Sequence, residues 1–292
     1  MFLNKSKEME QIFEQIRSNK LKEVNLSGKC IPDHLKELAA CLKDNGSVEK
    51  IDLSDNVLNP MDFAPLLEVL KTNKTVRELQ LSKNALDQSV FESLIKDCAL
   101  ETLGLSDNPI YSTKNIETFK DLKTLKKLSI ANCRLPLEEI NALIEGLKTN
   151  NCLQYLDIEG NNIREIQDAK QIGEMLKTNT TLKTLRLTCM DGTLENMEEI
   201  FPIFANALEK NCALTSLEFC STEDRGRHKD NCDLNTINRA LHRNSQLEDP
   251  TIFNFWKNIN KRKRKSELHA NFLKITLGAN LEILSQKRFG IS

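Results

Sequence analysis

Aliphatic residues recur along this chain in units whose hydrophobic period changes partway through. Each unit carries aliphatic residues at relative positions 1, 4, 6 and 11 and a polar residue at 9. Three copies follow one another directly: Val48, Ile51, Leu53, Asn56 and Leu58; Val76, Leu79, Leu81, Asn84 and Leu86; Leu100, Leu103, Leu105, Asn108 and Ile110. Leu125, Leu128 and Ile130 with Cys133 and Leu135, then Leu153, Leu156 and Ile158 with Asn161 and Ile163, continue the pattern. Leu21, Val24 and Leu26 with Lys29 and Ile31 begin it. Two later copies are degraded: Leu182, Leu185 and Leu187 precede Met190 and Gly192, and Leu214, Leu217 and Phe219 precede Thr222 and Asp224. Leu247 opens a broken ninth.

The unit starts, at 21, 48, 76, 100, 125, 153, 182 and 214, lie 24 to 32 residues apart. Alternation at positions 4 and 6 predicts a short strand, and the second half of the unit predicts a helix with one apolar stripe. Leu35, Leu38, Ala39 and Leu42 form such a stripe, as do Phe63, Leu66, Leu67 and Leu70; Ile140, Leu143, Ile144 and Leu147; and Phe201, Phe204, Ala205 and Leu208. The switch between the two periods inside every unit excludes a coiled coil. An Asn stands three residues ahead of the next strand anchor at 45, 73, 150, 179, 211 and 244. We read these as helix stops that use the tolerance of Asn for the left-handed conformation. The Asn at position 9 (56, 84, 108 and 161) is expected to turn inward and satisfy backbone groups. Units of this size cannot bury their apolar faces alone, so stacking must make one continuous core.

In unit length and anchor spacing, residues 21 to 247 resemble leucine-rich repeat proteins. The longer units with helical second halves resemble the ribonuclease-inhibitor type shared with tropomodulin-like proteins. That resemblance implies an α/β horseshoe, with a concave parallel β-sheet and helices on the convex side. Cys133 in the Asn slot is a variation known in that family, whereas Lys29, Met190 and Thr222 depart from it and imply less regular first, seventh and eighth turns. The expected organisation is a helical cap over 1–20, about eight repeats over 21–248 and a basic helical cap or tail over 249–292. Met9, Ile12, Phe13 and Ile16 would cover the first repeat, and Ile252, Phe255, Trp256 and Ile259 the last; either set could serve as an interaction helix instead.

Charge refines this outline. The chain of 292 residues carries 41 Lys and Arg against 42 Asp and Glu, which makes it neither a polyanion nor a general nucleic-acid coat. Residues 249–292 hold nine cationic and three acidic side chains, a net of +6 that leaves −7 on residues 1–248. The run Lys261, Arg262, Lys263, Arg264 and Lys265 permits three readings: a solvated face, a nuclear-import or nucleic-acid patch, or an acidic-lipid contact. The stretch Glu223–Cys232, with Arg225, Arg227, His228 and Lys229, interrupts the eighth unit and reads as a projecting loop, either a contact or a plain insertion. No apolar run approaches the roughly 18 to 20 residues of a membrane-spanning helix, and the N-terminus lacks a secretory apolar core.

Candidate chemistry is sparse. The nine cysteines are odd in number and form no C-x-x-C pair, as expected of reduced thiols in the cytoplasm. Cys212, Cys220, His228 and Cys232 fit no compact zinc spacing, so no metal and no cofactor are expected. Phosphate-loop, dinucleotide, nucleophile-elbow and metalloprotease motifs are all missing, and His34, His228, His242 and His269 are scattered. The acidic pairs Glu138–Glu139 and Glu198–Glu199 fall on helix faces, where solvation accounts for them. The expectation is a non-enzyme that binds a protein partner as scaffold, adaptor or inhibitor, and is monomeric.

Strand alternation would send positions 3 and 5 to the concave face. Position 3 reads Glu23, Lys50, Glu78, Thr102, Lys127, Tyr155, Thr184 and Ser216; position 5 reads Asn25, Asp52, Gln80, Gly104, Ser129, Asp157, Arg186 and Glu218. So polar a face argues against a small-molecule pocket. Lys50, Asp52, Glu78, Gln80, Lys127, Tyr155, Asp157, Arg186 and Glu218 are the expected partner-binding residues, with the anchor at Tyr155, Asp157 and Arg186. In style the chain is also similar to leucine-rich-repeat effectors that intracellular bacteria deliver into host cells. The Ran GTPase-activating family shares the expected fold, which implies regulation of a small GTPase as an alternative, although the acidic tail of that family is replaced here by a basic one. Recruitment to membrane or nucleic acid through 257–288, with nuclear entry through Lys261 to Lys265, is a third reading.

Overall fold

The computed structural model describes residues 2–30, 32–110, 122–161, 163, 165–187, 194–219 and 232–246. Strand and helix alternate through it, except between β4 and β5, where residues 111–121 lie outside the described residues. The order is α1 (Phe2–Arg17), β1 (Glu23–Asn25), α2 (Pro32–Leu42), β2 (Lys50–Asp52), α3 (Pro60–Thr72), β3 (Glu78–Gln80), α4 (Gln88–Asp97), β4 (Thr102–Gly104), β5 (Lys127–Ser129), α5 (Leu137–Leu147), β6 (Tyr155–Asp157), α6 (Ile166–Thr178), β7 (Thr184–Arg186), α7 (Leu194–Lys210), β8 (Ser216–Glu218) and α8 (Cys232–Gln246). The strands form one parallel sheet in sequence order from β1 to β8. Because parallel neighbours require a crossover between them, each helix runs back antiparallel to its strand and packs behind the sheet.

The aliphatic anchors build the core as their spacing predicts. Ile51 and Leu53 are buried, and so are their counterparts Leu79 and Leu81, Leu103 and Leu105, Leu128 and Ile130, Leu156 and Ile158. All four helical stripes named above are buried against them in a single cluster. In the eighth repeat the strand anchor is Phe219, whose ring meets Phe201 and Phe204 edge-on at centroid distances of 5.8 and 4.9 Å. At the other end, α1 buries Met9, Phe13 and Ile16 against α2. The capping stripe at 252–259 lies outside the described residues.

Two ladders of asparagine join the repeats. At position 9, Asn84 Nδ2 donates to the carbonyls of Leu53 (3.0 Å) and Leu81 (2.9 Å), one in the preceding repeat and one in its own. Asn56, Asn108 and Asn161 repeat that bridge. Cys133 replaces it with a thiol that donates to Leu105 O at 3.2 Å. Lys29, at the same position of the first unit, instead sends its ammonium to Glu8 of α1, 3.5 Å away.

The second ladder corrects our reading of the helix stops. Asn73 and Asn179 have φ of −67° and −70°, in extended backbone, and none of the six asparagines in this series has a positive φ. Asparagine is required there for its amide. Asn73 Nδ2 donates to Leu42 O (3.0 Å) at the end of the preceding helix, and its Oδ1 accepts from the N–H groups of Thr75 (2.9 Å) and Val76 (3.0 Å). Asn45, Asn150, Asn179 and Asn211 make the same three contacts. The left-handed conformation falls instead at position 8, on Gly28, Asp55, Lys83, Asp107, Asn132 and Gly160, where the chain leaves its strand, at position 10 on Val57 (φ +55°) and Arg134 (φ +56°), and on Asn19 after α1.

Candidate interaction face

Strand pairing aligns the two concave columns residue by residue. Lys50 stands between Glu23 and Glu78, Tyr155 between Lys127 and Thr184, and Arg186 between Asp157 and Glu218. Neighbouring strands in a sheet lie about 4.8 Å apart, so each side chain is within reach of its counterparts on both sides.

At the N-terminal end, Lys50 pairs with Glu23 at 2.9 Å, and Glu23 together with Glu78 holds its ammonium above the ordinary lysine range. Asp52 Oδ1 accepts from Ser54 N at 2.9 Å, which fixes the exit of β2. The middle of the face is closed by Gln80, which lies across Gly104. A Cβ at position 104 would sit 1.8 Å from Gln80 Oε1, so any larger residue there would make the Gln80 amide swing aside. Lys127 is exposed beside it.

The C-terminal half holds the densest electrostatics. Arg186 Nη1 donates to Asp157 Oδ2 (2.8 Å), Nη2 to Glu159 Oε2 (2.8 Å) and Nε to Glu218 Oε2 (2.9 Å). The Glu218 carboxylate most of all, then the Tyr155 hydroxyl and the charge of Asp157, hold the guanidinium well above its ordinary range. Asp157 is only 4% exposed, and its other oxygen accepts from Glu159 N at 3.1 Å. Ser129 extends the run, reaching Asp157 Oδ2 at 3.4 Å and Ser106 Oγ at 2.7 Å. A continuous polar chain thus crosses the fourth to eighth repeats, and its centre carries three carboxylates around one cation.

The structure therefore brings Tyr155, Asp157, Arg186 and Glu218 together and leaves Lys50, Asp52, Glu78 and Gln80 in the other half of the same face. Glu159 was missed in the sequence because it sits at position 7, two residues past the end of β6. The signal was the alternation itself, since a residue two beyond Asp157 stays on its side of the chain. Lys261, Arg262, Lys263, Arg264 and Lys265, and the interrupted stretch 223–232 up to the start of α8, lie outside the described residues. Among the described residues no group of three or more His, Cys, Asp or Glu could hold a metal ion. No helix there is long and apolar enough to cross a membrane.

One strand per repeat, columns in register and an asparagine bridge inside four of the turns define a leucine-rich repeat solenoid, with a helix in each described crossover. No family model matches the chain. Leucine-rich repeat-containing protein 45 of Gallus gallus is 29% identical over 92 residues, which are 32% of this chain and 13% of that protein. The tropomodulin C-terminal domain of Caenorhabditis elegans matches 59% of this chain and 92% of its own, at 16% identity and a TM-score of 0.38. The structure of a TLR13–ssRNA13 complex matches 68% of this chain and 36% of its own, at 19% identity and a TM-score of 0.42. The class rests on the repeat and strand geometry, not on these likenesses.

Proposed function

We propose that this solenoid is a protein-binding module that receives its partner on the concave face. The observation that carries this reading is the pair of in-register columns, which present polar side chains of both signs across eight strands with half-buried Tyr155 set among them. Such a face recognises a surface of complementary charge pattern, and a rigid aromatic beside a fixed ion cluster supplies an anchor with little ordering cost. The partner-binding set is Lys50, Asp52, Glu78, Gln80, Lys127, Tyr155, Asp157, Arg186 and Glu218. Scaffold, adaptor or inhibitor, and a host-directed form of any of these, are versions of this one role.

Arg186 and Asp157 hold each other, so the informative variant leaves them in place. Tyr155→Ala with Lys127→Glu changes the more exposed part of the face; it removes the Tyr155 hydroxyl from beside Arg186 but leaves the three carboxylates bonded to that guanidinium. Affinity capture from cell lysate with the full chain and with this double variant tests the reading. A protein retained by the first and lost by the second supports concave-face recognition. Capture of the same proteins by both overturns it.

A further inference from the structure

Because the eight strands are parallel and in register, every turn from a helix into the next strand falls on one rim of the solenoid, and every turn out of a strand falls on the other. The two rims differ in charge. The described helix-to-strand turns (18–22, 43–49, 73–77, 98–101, 122–126, 148–154, 179–183 and 211–215) hold nine Lys or Arg against Asp44, Glu49 and Glu101. The described strand-to-helix turns hold three cations against five carboxylates. The last four residues of each helix from α1 to α7 share the cationic rim; together they carry five cations and four carboxylates, so they do not offset the excess. Residues 111–121, which lead into the fifth repeat outside the described residues, add two charges of each sign.

Helix ends do not account for these cations. The carbonyls there already receive amide donors, from Asn73 to Leu42 O (3.0 Å), Asn179 to Leu147 O (2.7 Å) and Asn211 to Leu176 O (2.7 Å). Ion pairing accounts for two: Lys22 meets Glu49 at 3.3 Å, and Lys126 meets Glu101 at 2.6 Å. Lys74 Nζ and Arg77 Nη1 donate only to the neutral carbonyls of Lys71 (3.3 Å) and Ala99 (3.2 Å). The exposed pairs Lys20 and Lys22, Lys74 and Arg77, and Lys123 and Lys126 fall on the first, third and fifth repeats, and Lys183 follows on the seventh. Positive charge therefore recurs every second strand, about every 10 Å, along about 29 Å of rim. An extended polypeptide advances about 3.3 Å per residue, so every third residue meets a new cationic step and about nine residues run the length. The described turns contain no Phe, Tyr, Trp or His on which a base could stack, and none of their aliphatic side chains is exposed to enter a lipid layer. The tail over 249–292, at +6, has the wrong sign to lie there. Carboxylates on a partner chain are the complement that remains.

We propose that the helix-to-strand rim is a second docking surface, for an extended Asp- and Glu-rich protein segment whose carboxylates recur about every third residue. It is separate from the concave face and stands or falls apart from it. The test is fluorescence anisotropy of the full chain with a labelled peptide of four Glu-Glu-Ser repeats, beside a Gln-Gln-Ser control, an oligothymidylate of equal charge and phosphatidylserine vesicles. Two charge-reversal variants change net charge equally on opposite rims: Lys74→Glu with Lys123→Glu, and Lys83→Glu with Arg134→Glu. All four side chains are exposed, and a Tm equal to the parent's verifies that each variant is folded. The acidic peptide is expected to bind and the Gln peptide not. The first variant is expected to weaken binding by at least about tenfold and the second by less than about threefold, since opposed like charges at the contact cost far more than the same charges at a distance. Absence of peptide binding, or equal weakening by both variants, overturns the proposal. Tighter binding of the oligothymidylate or the vesicles, lost in the first variant, assigns the rim to nucleic acid or membrane and overturns it as well. Tyr155→Ala alone is expected to bind the peptide as the parent does, and a tenfold loss there would move the site to the concave face.

Discussion

A buried asparagine amide between neighbouring repeats does work that no apolar residue can replace. Asn84 bonds two carbonyls and two N–H groups at once; in Asn84→Ala the carbonyls of Leu53 and Leu81 keep Asn56 Nδ2 (2.8 Å) and Asn108 Nδ2 (2.9 Å), but the N–H groups of Asn56 and Leu58 lose their acceptor. We expect a loss of about 2–4 kcal/mol in urea unfolding, since each stranded group costs about 1–3 kcal/mol and some will recruit water. Releasing Val57 from its left-handed strain acts in the opposite sense: Val57→Asn is expected to raise stability by about 1 kcal/mol, read as an increase in Tm. The buried thiols predict a pH dependence. Burial pushes Cys30 and Cys98 from 9.0 up to about 11 and Cys133 up to about 12. Between the unfolded and folded values the unfolded chain has lost the proton that the folded chain keeps, so unfolding gains and stability falls as pH rises. Their contribution is intact below pH 9 and is lost progressively above it, and thermal melts from pH 8 to 11 should show a smaller decline in Cys133→Ala than in the parent.

Elements inherit their ends from these residues. Asn59 and Asp62 form a reciprocal cap at the start of α3, and Asp87 caps α4. The end of α7 is closed from outside by the half-buried Arg243 of α8, which donates to the carbonyls of Leu208 (2.7 Å), Glu209 (3.3 Å) and Asn211. Burial lowers its guanidinium from the ordinary range, and the carbonyls compensate for the lost water. Arg243→Met should cost about 1–3 kcal/mol and open the α7–α8 contact first, visible as faster hydrogen exchange in those two helices. The strands, the helical stripes and the columns were legible in sequence because each follows from a period of 2 or 3.6. Our error over Asn73 and Asn179 arose because Asn suits two jobs, a left-handed turn and a double-ended hydrogen bond, and sequence alone does not separate them. Arg243 was illegible for another reason: its partners are main-chain carbonyls some 32–35 residues away, and carbonyls leave no mark on a sequence.

The whole molecule is a one-dimensional stack, so its stability is a sum of units and junctions. The Arg186 cluster is a junction of unusual reach, because one guanidinium ties the sixth, seventh and eighth repeats. Arg186→Met leaves Asp157 buried beside two more carboxylates. With the guanidinium one-third exposed and screened accordingly, we expect a loss of about 1–2 kcal/mol. Its signature should be a broadened urea transition in which β7 and β8 lose hydrogen-exchange protection before β2 to β4. The polar character of this face was readable from the columns, but the inward commitment of Arg186 was not, since it needed Glu159 from beyond the strand. At the opposite end, the joint between α1 and the first repeat carries a consequence for how the protein ages. Asn45 precedes Gly46, the dipeptide most prone to deamidation, in which the glycine nitrogen attacks the side-chain carbonyl. Here the side-chain amide donates to Ile16 O, its oxygen accepts from Ser47 N and Val48 N, and Gly46 N is held by Asn19 Oδ1 at 3.0 Å. The attacking and attacked groups are both occupied while α1 stays docked. Conversion of Asn45 to aspartate would therefore record each undocking of that helix, a chemical clock that runs only when the first repeat is open.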